Sequence, residues 1–429
     1  MRRGNDWITL LMAACLAWVA LPAAAQTGSE ARGSRNLSVV SHVLLDGDTG
    51  NVEVEQEAAR PYVYVSKRAG PGGFAALSLA TPDDPQVVYS WTLDTPVASS
   101  ESGAQDVVYF KLKDRYYLVQ SFQFNTGHRE ADLGAVVFDV TGLPEASTVE
   151  EVARIEATGG FHNLFAYKHS DGRALLFATG GDAAHVYDLE AILDGSDGLV
   201  AQIDTPEQLQ ASTSGYHDVF VGFEPETVQD RFYGAGAGGY YVYDVTDLAN
   251  PVALTSISSA AVQRGKAVAP TPDGRFVVTA AGYRTAPLRI YDLQAGLDKT
   301  IPRVRTAVGA WMADWRNFAE RHEVRWPFVF VAALDDGLQV FNMRDPTAPY
   351  TVAYYQTGDG PPKTMADPDQ YNGAWDLDVR NTDGLIVVSD LGTGFWVFDL
   401  EAFDGWNGHN WGLPNMSSAQ DWDNGPDGK

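Results

Sequence analysis

Gly215 to Ala260 reads GYHDVFVGFEPETVQDRFYGAGAGGYYVYDVTDLANPVALTSISSA. Four runs within it have strand character. HDVFVGF and VALTSIS alternate apolar with polar residues, QDRFYGA is short and aromatic, and GGYYVYDVT is rich in β-branched and aromatic side chains. A polar hairpin turn, a Gly-rich turn and Asn250-Pro251 separate the runs. One four-stranded antiparallel sheet of this size cannot bury its apolar face alone, so it requires neighbours of the same kind.

The chain supplies them. The third run recurs as GGFAALSLA (72–80), LGAVVFDVT (133–141), GDAAHVYDLE (181–190), GGYYVYDVT (238–246), APLRIYDLQ (286–294), DGLQVFNMR (336–344) and TGFWVFDLE (393–401). Each copy ends on a polar marker: Ser78, Asp139, Asp188, Asp244, Asp292, Asn342 and Asp399, spaced 48 to 61 residues apart. Four strands in ~40–50 residues is the period of a propeller blade. The pattern predicts an all-β, seven-bladed β-propeller of four-stranded antiparallel blades over 37–403, with blades at 50–95, 104–157, 159–206, 215–260, 263–309, 318–357 and 371–400. Short turns at Asp171-Gly172-Arg173, Asp230-Arg231, Asp273-Gly274-Arg275 and Asp383-Gly384 read as links between first and second strands. The tail, 404–429, is acidic, rich in Trp and Gly, and has no strand pattern, so the seventh blade lacks its outer strand. The alternating LSVVSHVLLD at 37–46 can supply it and close the ring, leaving no open sheet edge.

Composition sets limits on function. The chain is 45% apolar and 11% aromatic, enough for a large core. Thirty basic residues against 56 acidic ones give a net charge of −26. That argues against a nucleic-acid partner and against an anionic membrane surface, and reads as a solubilising acidic exterior. Residues 1–25 have a basic start at Arg2 and Arg3, an apolar core and Ala23-Ala24-Ala25. They read as a secretory signal cut after Ala25, with 26–36 a flexible leader and an exported destination: periplasm, cell surface or medium. The apolar run continues past Cys15, against a lipoprotein anchor there. Cys15 is the only cysteine, so a chain cut after Ala25 has no disulfide, thiolate or Cys metal site. No other stretch has the length of a membrane span.

The runs LIVVSDLGTGFWVFDL (385–400), FVFVAALDDGLQVFNM (328–343) and RFYGAGAGGYYVYDVTDLANP (231–251) resemble LVIVD repeats, short strand repeats of exported bacterial and archaeal proteins. The resemblance covers most of the chain. It implies propeller blades in an exported protein and no shared activity.

In a propeller the inner strand of each blade begins at the mouth of the central channel. The repeat register puts Gln105-Asp106, His162-Asn163, His217-Asp218, Gly265-Lys266 and Trp375-Asp376 there, with His322-Glu323 the nearest candidate in blade six. Asp106, His162, Asn163, His217, Asp218, Lys266, Trp375 and Asp376 therefore form the candidate ligand site. Two imidazoles and a carboxylate (His162, His217, Asp218) suit zinc, copper or iron. The competing reading is that these residues bond backbone groups of the adjacent blade.

Loops between second and third strands open on the same face and carry His128, Arg129, Asp132, Asp182, Arg284, Asp335, Asp336 and Asp390. Asp335-Asp336 reads as a calcium or acid–base pair, or as an exposed turn. The connection at 359–371 reads as a lid or a simple span between blades. DWDNGPDG (421–428) lacks EF-hand spacing and a closing Glu. There is no Gly-x-Ser-x-Gly elbow, phosphate loop or HExxH, and GAGAGG (234–239) runs into a strand, with no helix N-terminus to hold phosphate. Two functions follow. One is an exported binding scaffold that takes a protein or small molecule at the mouth on the top face. The other is a metal-dependent oxidoreductase or hydrolase using His162 and His217. A transition metal or calcium is the candidate cofactor, and the sequence leaves open whether the chain is an enzyme.

Overall fold

Seven four-stranded antiparallel sheets make up the chain, each one blade of a propeller. The computed structural model describes residues 32–45, 48–68, 72–94, 103–124, 128–206, 215–283, 285–314, 319–358, 372–406 and 421–426. The signal stretch, most of the leader, Arg284, Trp411 and the 359–371 connection lie outside the described residues. Blades one to six occupy 49–92, 103–156, 164–204, 216–257, 265–311 and 321–355. The seventh combines β26 (Ala374–Val379), β27 (Ile386–Asp390) and β28 (Gly394–Leu400) with the N-terminal strand β1 (Leu37–Val43).

The polar marker of the repeat has a local cause. In blades one to six it ends the third strand, and its side chain accepts a bond from the amide two residues on, turning the chain toward the fourth strand; in blade seven Asp399 lies within β28, and Glu401 N donates to Asn36 O. Ala80 N donates to Ser78 Oγ (3.3 Å), Thr141 N to Asp139 Oδ1 (2.9 Å) and Glu190 N to Asp188 Oδ1 (3.0 Å). Thr246 N donates to Asp244, Gln294 N to Asp292 and Arg344 N to Asn342 in the same way, at 2.8–3.0 Å. Aromatic side chains from these runs and from the second and fourth strands beside them fill the wedge between neighbouring blades. Phe74 meets Phe138 at 5.0 Å, Phe177 meets Phe232 at 6.1 Å and Tyr355 meets Phe398 at 5.2 Å between ring centroids.

Closure is as the sequence predicts. β1 pairs antiparallel with β28, from Leu37 opposite Leu400 to Val43 opposite Phe395, and His42 stacks on Trp396 at 3.7 Å. The strand stops at Val43, short of the expected 46. Ahead of it, Ser34 N donates to Tyr354 O (2.8 Å) and Asn36 Nδ2 to Val352 O (3.0 Å), tying the same segment to blade six.

One expected turn lies elsewhere. Asp230 and Arg231 are inside β15 (Gln229–Gly236), and the chain reverses just before, where Val228 takes a positive φ of 54°. Asp230 is fully buried. It accepts bonds from Tyr167 Oη (2.6 Å) and from Ser170 N (3.1 Å) and Oγ (2.5 Å), locking blade three to blade four.

The tail closes the channel end opposite the mouth. Trp422 is buried beside Phe110, Asp423 pairs with Lys111 (2.6 Å) and Trp406 Nε1 donates to Trp326 O (2.9 Å). Asp421 accepts from Asn424 N at 3.0 Å, within its own turn. No helix among the described residues is long and apolar enough to cross a membrane.

Candidate functional site

Five of the seven inner strands begin with an irregularity that tips a polar residue toward the channel. Register slips mark β2 (Thr49–Val54), β6 (Gly103–Leu112), β14 (Tyr216–Glu224), β18 (Gly265–Pro270) and β26. The resulting ring is Asn51, Asp106, Asn163, Asp218, Lys266, Arg321 and Asp376. The expected blade-six pair, His322-Glu323, is displaced. Arg321 lies opposite Ala332 as Asp218 lies opposite Ala235 and Asp376 opposite Ser389. Four consecutive charged or polar residues, Glu320 to Glu323, hide the register there.

Arg321 is the hub. Its Nη1 reaches Asp218 Oδ1 at 2.5 Å, its Nη2 lies 3.7 Å from Asp106 Oδ2 and its Nε 3.9 Å from Asp376 Oδ1. One guanidinium thus spans the channel between blades two, four and seven. The same carboxylates also take neighbouring donors. Asn51 Nδ2 donates to Asp106 Oδ1 (2.7 Å), Leu164 N to Asp106 Oδ2 (2.8 Å), Val52 N to Asp376 Oδ2 (3.0 Å) and Asn163 Nδ2 to Asp218 Oδ1 (3.2 Å). The adjacent-blade reading therefore holds for Asp106 and Asp376, which also face the channel, and for Asn163 and His217, whose side chains bond His217 O (2.7 Å) and Lys266 O (2.9 Å) of the next blade. Burial raises both carboxyls, Asp376 to about 8, against the opposing pull of Arg321.

Above this layer the two histidines meet. His217 Nδ1 lies 2.9 Å from Lys266 O, which can only accept, so Nδ1 carries the hydrogen and Nε2 is bare. His162 Nε2, 3.2 Å away, is then the donor to His217 Nε2. That leaves His162 Nδ1 an acceptor, buried and without a partner. Burial, reinforced by Arg321, Lys266 and Arg68, lowers His162 to about 3. Burial and the neighbouring His162, Lys266 and Arg321 hold His217 well below its ordinary value, so both rings are neutral.

Lys266 Nζ pairs with Glu320 Oε1 (2.7 Å). Trp375 Nε1 donates to Asn51 Oδ1 (3.0 Å) under the Arg68 guanidinium, 4.0 Å from its ring. All eight expected site residues thus converge on the mouth. The sequence reading missed Asn51, Arg68, Glu320 and Arg321. Asp218 of the expected metal set faces Arg321 and Asn163, and among the described residues no three His, Cys, Asp or Glu side chains are grouped to hold a metal ion.

Below the Arg321 layer lies a cavity of about 300 Å³ walled by all seven inner strands and ended by Asn381, Trp406, Asp421 and Trp422. Glu53, Glu323 and Asp378 reach into it, beside Arg325. Burial first, then repulsion from neighbouring carboxylates, raises Glu53 well above the usual carboxylate range. The expected loop residues are structural where their bonds are described. Asp390 is buried and accepts from Gly392 N, Thr393 N and Thr357 Oγ1, and His128 stacks on Phe124 at 4.4 Å.

Comparison with known proteins agrees on architecture alone. No family model and no curated protein matches the chain. Among solved structures, the WD40 β-propeller domain of Doa1 aligns with a TM-score of 0.57 at 12% identity, covering 86% of this chain and 99% of that one. At that identity the likeness shows the fold. The chain is a seven-bladed β-propeller.

Proposed function

We propose that this protein is an exported LVIVD-type binding propeller that takes its ligand, a protein segment or a small molecule, at the channel mouth on the top face. His162, His217, Lys266 and Trp375 make the contacting surface, with the Arg321 layer as its floor. One observation carries the reading: His162 Nδ1 is a buried acceptor with no partner, and native folds seldom leave such atoms unused. A ligand that donates a hydrogen bond there would satisfy it. The neutrality of both imidazoles keeps that acceptor available across ordinary pH.

A second reading has its own support. The two Nε2 atoms are 3.2 Å apart, near the separation of about 3.3 Å that two ligands on one tetrahedral metal adopt. In that case His162 and His217 serve a metal-dependent oxidoreductase or hydrolase.

Two measurements decide. A thermal-shift screen of small donors is run on the mature chain and on His162→Ala/His217→Ala. Compounds that stabilise only the parent support the mouth, and compounds that stabilise both equally sink it. Elemental analysis of the same two proteins, purified without chelator, settles the metal. Stoichiometric copper, zinc or iron lost in the variant favours the second reading.

A further inference from the structure

The alternation of a strand stacks a second ring beneath the first, two residues further along each inner strand. Its composition is divided. Blades six, seven and one, adjacent around the ring, contribute Glu323, Asp378 and Glu53. Blades two to five contribute Val108, Phe165, Phe220 and Val268. All seven line the 300 Å³ cavity, and the rings of Phe165 and Phe220 are 5.2 Å apart on its apolar side.

We propose that this chamber binds a small organic ammonium ion, its charged nitrogen held by the Glu53–Glu323–Asp378 arc and its apolar body laid against the Phe165–Phe220 wall. The inference goes beyond the mouth site, with which the chamber shares only its roof.

Charge, space and the apolar wall point the same way. Carboxyl groups of seven residues line the cavity against two guanidinium groups, Arg321 and Arg325. Arg321 is committed to the roof, and Arg325 Nη2 lies 2.8 Å from Glu323 Oε2 and 3.8 Å from Asp378 Oδ1. Asp378 also accepts from Val54 N (2.8 Å) and Val379 N (2.7 Å). Glu53 therefore faces Asp378, Glu323, Asp106 and Asp376; besides Arg321 and Arg325, the other titratable groups on the wall are Asp218, Asp421, Tyr109 and His322. His322 is 93% buried, being 7% exposed, and its Nε2 bonds Val278 O at 3.0 Å, which fixes the hydrogen on Nε2. That bond turns the His322 ring toward the second strand of blade five, between the inward-facing Arg321 and Glu323. A cavity of this size suits a small molecule. Excess acceptors opposite an aromatic wall suit an amphiphilic cation better than an anion or a bare ion, because the apolar half of the wall offers a metal nothing.

In the empty chamber burial, with repulsion from neighbouring carboxylates, raises Glu53, and burial with Asp378 and Asp376 raises Glu323 against the pull of Arg325, which favours the protonated form of both. An ammonium ion displaces those protons, so binding tightens as pH rises, by up to about tenfold per pH unit for each proton released. Isothermal titration of the mature chain with 2-phenylethylammonium at pH 6 and pH 8 tests this. Phenylacetate, 2-phenylethanol and calcium chloride alone are the comparison probes.

The expected result is binding of the ammonium probe alone, at least tenfold tighter at pH 8, with proton release seen in buffers of different ionisation enthalpy. In Glu53→Gln/Glu323→Gln, which mimics the protonated pair, Tm should hold while affinity at pH 8 falls at least tenfold and the pH dependence vanishes. Should that protein fail to fold, Glu53→Gln alone is expected to halve the pH slope. The inference is overturned by equal binding of the three organic probes, by no ammonium binding, by binding of calcium in its place, or by ammonium binding indifferent to the Gln substitutions. His162→Ala/His217→Ala should leave the titration unchanged, so failure here is distinct from failure of the mouth reading.

Discussion

Replacing Arg321 with Met keeps most of the side-chain length and removes the charge that three buried carboxylates share. Asp218 loses a 2.5 Å contact, and Asp106 and Asp376 lose contacts at 3.7 and 3.9 Å. Breaking a buried pair by removing one partner costs about 3–5 kcal/mol, because the remaining charge is left desolvated and unpaired. A folded domain holds about 5–15 kcal/mol in all, so Arg321→Met should fold with little margin. At about 2.1 cal/mol/K of unfolding entropy per residue, a ring of roughly 370 residues loses about 4–6 °C in Tm for that cost.

The loss depends on pH, with a sign set by Asp376. Burial raises its carboxyl to about 8 in the folded chain, from 3.8, even with Arg321 beside it. Between those values the folded state binds more protons than the unfolded one. The stability this group contributes is full below about pH 4 and is lost as pH rises toward 8. Arg321 lowers both Asp106 and Asp376, so without it the folded-state values climb further and the slope steepens. Thermal unfolding followed by circular dichroism at pH 5.5 and 8.5 should show the larger deficit at pH 8.5. Arg321→Met/Asp218→Asn should recover part of it. Equal Tm values for parent and Arg321→Met at pH 8.5, or a larger deficit at pH 5.5, would refute the reasoning.

Two further outcomes test the frame around the site. Asp230→Ala strands the Tyr167 and Ser170 donors between blades three and four, and should lower stability by about 2–4 kcal/mol in guanidinium unfolding while leaving ammonium binding intact. A chain that begins after Val43 exposes the β28 edge. It should lose cooperative unfolding and self-associate in light scattering, whereas a monomer of parental Tm would deny the N-terminal strand its closing role.

How much of this is legible in the sequence depends on how local each cause is. Ser78, Asp139 and their equivalents announce the blades because a side chain bonding an amide two residues away is a local requirement. Asp106, His162, His217 and Asp376 are legible as mouth residues because each follows a clear repeat. Arg321 is not, since the charged run Glu320–Glu323 gives no alternation from which to read which residue turns inward. The direction of the His162–His217 bond is also invisible in sequence. It is set by the Lys266 carbonyl, a backbone atom of another blade.

The divided second ring was present in the sequence once the first was aligned. Glu53, Glu323 and Asp378 each stand two residues after a ring position. Placing three carboxyls on adjacent inner strands concentrates repulsion on blades six, seven and one, where the propeller also has to close. Those blades are tied together: Ser34 and Asn36 bond blade six, β1 completes blade seven, and Val52 N and Val54 N of blade one donate to Asp376 and Asp378 of blade seven. The last two bonds place amide dipoles against the very carboxylates that repel one another, which lowers the cost of keeping them charged. The fold thus sets a bonded seam at its most crowded carboxyls. A bound cation would take the place of the protons that burial favours on Glu53 and Glu323, inside the channel that this seam closes.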